Sequence, residues 1–298
     1  ERPSSPITIR GSNNSDRTEA MVIDASNLPS GTILNLQNIE FAVIIGPATL
    51  FGGDGQNTLY AGTGSQFMIL GPDDDELHGG DGDDTVGSKG GDDLLFGDNG
   101  NDTLFGGEGM DILHGGMDSD RVTYEGNQAD YLIEQTHGVL TITHKNDITD
   151  SDTLVNVELV EFADQSQVVT YAQDLGVIAT LYTHILGRQA DVAGFQWWAE
   201  EESQGEISLG GMALSMIESE EFQSKNNLDI GSQSQDGQIE SLYQIILERD
   251  SDDAGKAYWI EQAQMHNMTL LEMAQAFVDS EEFTEQYLAP ESWNFLLS

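Results

Sequence analysis

The chain has 298 residues, enough for about two domains. Acidic residues outnumber basic ones 53 to 10, and the formal charge of −43 argues against nucleic acid and anionic membranes as partners. Cysteine is absent, so no disulfide braces the fold, and no stretch approaches 18 consecutive apolar residues, so no transmembrane segment is read.

Residues 1–51 begin ERPSSPITIR, with neither an initiator Met nor an apolar signal core, and this reads as a piece of a longer protein. Alternating stretches follow at Ala20–Ala25 and Thr32–Leu36, then an apolar run at Phe41–Ile45. Extending the nine-residue frame of the next segment backwards puts Leu50 and Phe41 at its inward position. The expectation is two or more degenerate coils that cap a solenoid without binding metal.

From Gly52 to Thr123 a nine-residue pattern repeats with no insertion: GGDGQNTLY, AGTGSQFMI, LGPDDDELH, GGDGDDTVG, SKGGDDLLF, GDNGNDTLF, GGEGMDILH, GGMDSDRVT. Position 8 is always apolar: Leu59, Met68, Leu77, Val86, Leu95, Leu104, Leu113 and Val122. Position 6 runs Asn57, Gln66, Asp75, Asp84, Asp93, Asp102, Asp111 and Asp120. An acidic, flexible linker has no reason to keep that apolar column. The nonapeptide GGxGxDxUx is the signature of a calcium-binding parallel β-solenoid.

The chemistry follows from the residue types. Glycines, among them Gly80, Gly82, Gly91, Gly100, Gly107 and Gly109, turn the backbone through positive φ and let carbonyls crowd an ion. Those carbonyls and the position-6 carboxylates are hard oxygen ligands of the kind Ca²⁺ takes. Two units make one turn, so each loop stacks on the loop eighteen residues away. One ladder holds Asn57, Asp75, Asp93 and Asp111, and the other holds Gln66, Asp84, Asp102 and Asp120. About four strong sites are expected: Asp75/Asp93, Asp93/Asp111, Asp84/Asp102 and Asp102/Asp120. The pairs Asn57/Asp75 and Gln66/Asp84, with one charge each, would be weaker. Lys89 and Arg121 are the only basic residues of the block, so without a divalent cation it should repel itself and stay unfolded.

Residues 124–173 lose the glycine period. Asp130–Gln135 and Val139–His144 alternate like strands about a turn at His137-Gly138, and Asp152–Ala163 and Val168–Tyr171 flank the turn Asp164-Gln165-Ser166. A β cap on the solenoid is expected there.

The helical part spans 174–288, and within it residues 181–222 recur at 242–283 with a constant offset of 61. Leu186, Arg188, Asp191, Gly194 and Trp198 match Leu247, Arg249, Asp252, Gly255 and Trp259. Each copy reads as three helices plus a short fourth, with Asp191/Asp252 and Ser219/Ser280 as N-caps.

The block 52–123 resembles the calcium-binding repeats of the RTX (repeats-in-toxin) exoproteins, and the likeness continues through Asp120–Tyr124 and Asp152–Glu158 to Phe162-Ala-Asp164. The helical half twice resembles a domain of unknown function that recurs in secreted bacterial proteins, through Leu-Gly-Arg-x-x-Asp-x-x-Gly followed by Trp at Leu186–Trp198. The second copy has Glu248 in place of the Gly. The resemblance implies a right-handed parallel β-roll with β caps, then an all-α pair. It also implies export by the type I secretion machinery, a secreted or bacterial cell-surface location, and calcium-dependent folding in cell adhesion or a related role. Residues 289–298, ending Trp293-Asn-Phe-Leu-Leu-Ser298, occupy the place of that family's uncleaved secretion signal.

No nucleophile elbow, metalloprotease helix or phosphate loop appears, so no enzyme is expected. His78 and His114 fall at position 9, two turns apart by about 9–10 Å, too far to share a transition metal. Trp198 and Trp259 should pack in the core of each copy. Trp197 and Tyr258 lie on an adjacent face, where they would either line the contact between the copies, the favoured reading, or stack a sugar ring of a surface glycan or other cell-surface polymer. Arg188 and Arg249 should bond nearby carboxylates or helix-end carbonyls.

Overall fold

The computed structural model describes residues 3–11, 20–136, 138–170, 173–188, 190–283 and 295–296. Two compact units result, Glu1–Thr170 and Tyr171–Ser298. His137 and, apart from Phe295 and Leu296, the stretch 284–298 lie outside the described residues.

The first unit is a parallel β-solenoid of about six turns. Its strands are β1 (Ile7–Arg10), β2 (Ala20–Asp24), β3 (Ile33–Gln37), β4 (Phe41–Ile45), β5 (Thr49–Phe51), β6 (Thr58–Ala61), β7 (Phe67–Ile69), β8 (Glu76–His78) and β9 (Thr85–Gly87). They continue as β10 (Leu94–Asn99), β11 (Thr103–Phe105), β12 (Ile112–Met117), β13 (Arg121–Thr123), β14 (Tyr131–Thr136), β15 (Val139–His144), β16 (Ser151–Val155), β17 (Leu159–Glu161) and β18 (Ser166–Val168). Odd-numbered strands β1 to β13, then β17 and β18, form one sheet; even-numbered β2 to β12, then β16, β15 and β14, form the other.

Three-residue strands suffice because each carries one inward side chain. Leu59, Leu77, Leu95 and Leu113 stack in register through one sheet, and Met68, Val86, Leu104 and Val122 through the other. All eight are fully buried, which is the apolar column at position 8. Their burial is the main force holding so thin a fold.

Upstream, the coils are irregular. Leu50 is buried, but Ala42 rather than Phe41 pairs with Leu59 and faces the core. Ala42 lies eight residues before Leu50, not nine, and a shift of one residue turns a strand's other face inward. Phe41 instead points outward against Tyr60, with ring centroids 5.9 Å apart.

Downstream, β14 and β15 pair antiparallel at the predicted alternation, while β16 and β17 return to the solenoid. Leu154 stacks on Leu113 and Val160 on Val122, so residues 151–161 add a further coil after the hairpin. β18 closes over β17 in antiparallel sense.

The second unit is helical: α1 (Gln173–Leu181), α2 (Val192–Ser203), α3 (Leu209–Glu218), α4 (Glu220–Asn226), α5 (Gln235–Ile246), α6 (Asp253–His266) and α7 (Leu270–Val278). Tyr182–Leu186 prolong α1 as a π-helical turn. The starts of α2 and α6, and of α3 and α7, keep the offset of 61. The two copies meet where α3 packs on α7, burying Met212, Ala213, Met216, Met273, Ala274 and Phe277. A Cβ on Gly210 would strike the backbone of Gln275, so the helices touch through a bare Cα. Asp252 caps α6, Ser219 caps α4, and Ser280 Oγ accepts from Phe283 N. The tail residues Phe295 and Leu296 pair in parallel with Ala190 and Asp191.

Candidate metal centre

The loops between strands carry position 6 into the interior, where Asp75, Asp84, Asp93, Asp102, Asp111 and Asp120 are all buried. One oxygen of each carboxylate has a defined role. Oδ1 accepts the backbone N–H of the residue eighteen positions earlier: Asn57 to Asp75 at 2.7 Å, Asp75 to Asp93 at 2.7 Å, and Asp93 to Asp111 at 2.9 Å. The second ladder repeats this, with Gln66 to Asp84 at 2.6 Å, Asp84 to Asp102 at 2.7 Å and Asp102 to Asp120 at 2.8 Å.

The other oxygen, Oδ2, is buried in all six and has no hydrogen-bond partner. An orphaned buried carboxylate oxygen is costly unless a cation meets it. No lysine or arginine does so among the described residues: Lys89 is exposed, and Arg121 bonds Thr103 Oγ1 at the surface. Burial accordingly raises these carboxyls from the usual range, to about 6 for Asp75 and Asp111, about 7 for Asp84 and Asp93, and about 8 for Asp102 and Asp120.

The glycines explain why there is room for an ion. Gly80, Gly82, Gly91, Gly100, Gly107 and Gly109 all take positive φ. At Gly109, with φ 138°, an added Cβ would also collide with the carbonyl of Gly91 one coil below. Asp98 and Asp118 adopt the left-handed conformation without being glycine, at φ 70° and 78°. A second set at position 1, Gly79, Gly97, Gly106 and Gly115, opens a niche for the free oxygens of Asp84, Asp102, Asp111 and Asp120. A Cβ on Gly97 would strike both Asp102 Oδ2 and the carbonyl oxygen of Gly115. Gly79 brings Asp84 Oδ2 together with the Gly97 carbonyl, and Gly115 brings Asp120 Oδ2 together with that of Asn156. These hard, anionic and carbonyl oxygens fit Ca²⁺. Among the described residues no three His, Asp or Glu side chains converge, so backbone carbonyls must complete any oxygen cage.

Two participants escape the nine-residue frame. Asp111 N donates to Asp152 Oδ1 at 3.3 Å, and Asp120 N donates to Glu158 Oε2 at 2.8 Å. The ladders therefore end on the coil at 151–161, where Asp152 also accepts from the Tyr124 hydroxyl at 2.7 Å. The signal was present: Asp152-Thr-Leu and Glu158-Leu-Val repeat the spacing of positions 6 to 8.

Asn57 sits at the N-terminal end of its ladder, with Nδ2 bonded to Ile39 O at 3.1 Å. His78 and His114 belong to a ring stack, Tyr60–His78–Phe96–His114, in which Phe96 separates them. In the helical unit, Arg188 grips Glu221 with two nitrogens and Arg249 grips Glu282 likewise. Each guanidinium also lies over a tyrosine, Tyr182 or Tyr243. Trp259 stacks half-buried on Phe277, with centroids 4.5 Å apart. Trp197 and Tyr258 are 52 % and 54 % exposed, so they are not buried between the copies; that contact runs through α3 and α7.

Residues 51–86, 60–95 and 88–122 match the family model of the RTX calcium-binding nonapeptide repeat (4 copies). Residues 161–226 and 229–287 match that of a domain of unknown function (DUF4214). No curated protein matches the chain.

Proposed function

Because the chain carries RTX calcium-binding nonapeptide repeats followed by two DUF4214 domains, we propose that it is the calcium-dependent folding, secretion and interaction region of a large extracellular RTX exoprotein of the adhesin type. The observation that carries this reading is the set of six buried, unpartnered Oδ2 atoms in two stacked ladders. Calcium would be held at Asp75/Asp93, Asp93/Asp111, Asp84/Asp102 and Asp102/Asp120, and more weakly at Asn57/Asp75 and Gln66/Asp84. Gly80, Gly82, Gly91, Gly100, Gly107 and Gly109, stacked in the loops, would lend carbonyls. The region is non-catalytic in this reading, its helical pair serves as the interaction module, and type I export delivers it to the outside or surface of a bacterium. Circular dichroism during calcium titration tests it: β signal and compaction should appear with calcium and reverse with chelator. Magnesium should substitute poorly, because it demands tight octahedral geometry and keeps its waters. A roll equally folded in excess chelator would sink the idea.

A second reading, a carbohydrate-binding accessory module of a secreted exopolysaccharide-active enzyme, is favoured by the exposure of Trp197 and Tyr258 at matching positions of the two copies. Glycan-array binding lost on Trp197→Ala would support it.

A further inference from the structure

Between the outer face of the first sheet and the hairpin, the roll has a cleft of about 750 Å³, within the ~300–1,000 Å³ of small-ligand sites. Its lining shares Gly106 and Gly107 with a loop of the Asp111 ladder, but Phe105, Tyr131, Glu125 and Lys89 take no part in the ladder chemistry. Its floor is an aromatic ring laid flat. β9 and β11 are neighbours in register, and Phe105 sits directly opposite Gly87. A Cβ on Gly87 would run into three atoms of the Phe105 ring, so the ring covers the bare backbone there. Gly87 is buried beneath it, while Phe105 itself stays half-exposed and lines the cleft. Tyr131, on the hairpin, supplies a second ring. Ile69 and Tyr124 add apolar surface, and the charged lining is Glu108, Glu125 and Asp150 as acceptors with the Lys89 ammonium as donor.

A flat apolar ring bounded by carboxylates and one ammonium matches a pyranose, which offers an apolar C–H face and a rim of hydroxyls. Three carboxylates in the cleft and a charge of −43 on the chain disfavour an anionic sugar. We propose that the cleft floored by Phe105 and walled by Tyr131, Glu108, Glu125, Asp150 and Lys89 is a binding site for a neutral oligosaccharide, with a hexose ring stacked on Phe105. The site needs the fold of the roll but goes beyond its calcium chemistry, and it is separate from Trp197 and Tyr258.

The test is titration calorimetry of the full chain in calcium with cellotetraose, maltotetraose and an alginate tetramer. Circular dichroism on the same samples reads folding separately from binding. A neutral tetraose should bind, and Phe105→Leu, which keeps apolar cover on Gly87 but removes the ring, should weaken it at least about tenfold. Gly87→Val, which lifts the ring off the sheet, should weaken it similarly, and Glu125→Gln should do so without touching the ring. Val22→Ala, at an exposed position of β2 in the other sheet, should leave the affinity unchanged. A folded chain that binds neither neutral tetraose at millimolar concentration overturns the proposal. So does neutral-sugar binding indifferent to Phe105→Leu and Glu125→Gln, or a preference for the alginate tetramer.

Discussion

Each ladder aspartate divides its carboxylate between two tasks: Oδ1 caps an amide of the preceding coil, while Oδ2 is buried without a donor. The consequence for pH follows from the raised pKa values. In chelator, the folded roll holds protons that the unfolded chain, titrating near 3.8, has already released. Protonation therefore stabilises the metal-free roll fully below about 4. That contribution is lost as pH rises through about 6 for Asp75 and Asp111 and about 8 for Asp102 and Asp120. Far-ultraviolet dichroism in chelator should show β signal growing as pH falls from 8 towards 4, while the calcium midpoint rises because protons compete for the same oxygens. Mid-ladder residues should matter most. Asp93→Ala or Asp102→Ala should remove about two ions by calorimetry and raise the calcium midpoint more than Asp120→Ala. Asn57→Ala should change it little; equal shifts for Asp93→Ala and Asn57→Ala would mean the proposed register of ligands is wrong.

At the scale of elements, the coil at 151–161 takes the place of another repeat. Its Glu158 accepts the amide of Asp120, so Glu158→Ala leaves a buried donor without a partner, a cost of about 1–3 kcal/mol. Glu158→Gln keeps an acceptor and should cost less; thermal melts in saturating calcium compare the two. The loops should respond to stacking as well as to φ. Gly109→Ala meets the Gly91 carbonyl, whereas Gly55, also at positive φ, has open space around it. Gly55→Ala should cost roughly 1 kcal/mol and Gly109→Ala distinctly more, read as a drop in melting temperature. The helical copies offer the opposite case. Gly187 and Glu248 occupy matching left-handed caps, at φ 65° and 49°. Glu248→Gly should stabilise the helical unit by about 1 kcal/mol, since the exposed Glu248 carboxylate makes only a long contact with His184, at 3.8 Å.

For the whole molecule, the two units bury their cores by different means. The roll has a single column of apolar side chains in each sheet and pairs them with buried acids, whereas the helical unit closes α3 on α7 through methionines and Phe277. Chelator should therefore abolish the β signal and leave the helical signal and its melt intact. One transition removing both signals together would show the units fold as one.

The nine-residue period by itself determined the short strands, the eighteen-residue stacking and the buried column from Leu59 to Val122, because every coil of the repeat block solves the same local problem with the same residues. The offset of 61 likewise determined the paired helices, the caps at Ser219 and Asp252, and the carboxylate-bonded arginines. Tertiary structure alone decided where that regularity breaks. A missing residue before Leu50 put Ala42 rather than Phe41 inside, and the β14–β15 hairpin carried Asp152 and Glu158 to ladder ends 41 and 38 residues from their partners. The same holds for Trp197 and Tyr258 remaining in solvent, and for Phe105 lying down on Gly87. Periodicity reports what each residue wants from its immediate neighbours. Contacts across an irregular insertion, or between side chains on adjacent coils, depend on how the closed fold excludes water, and no local spacing encodes that.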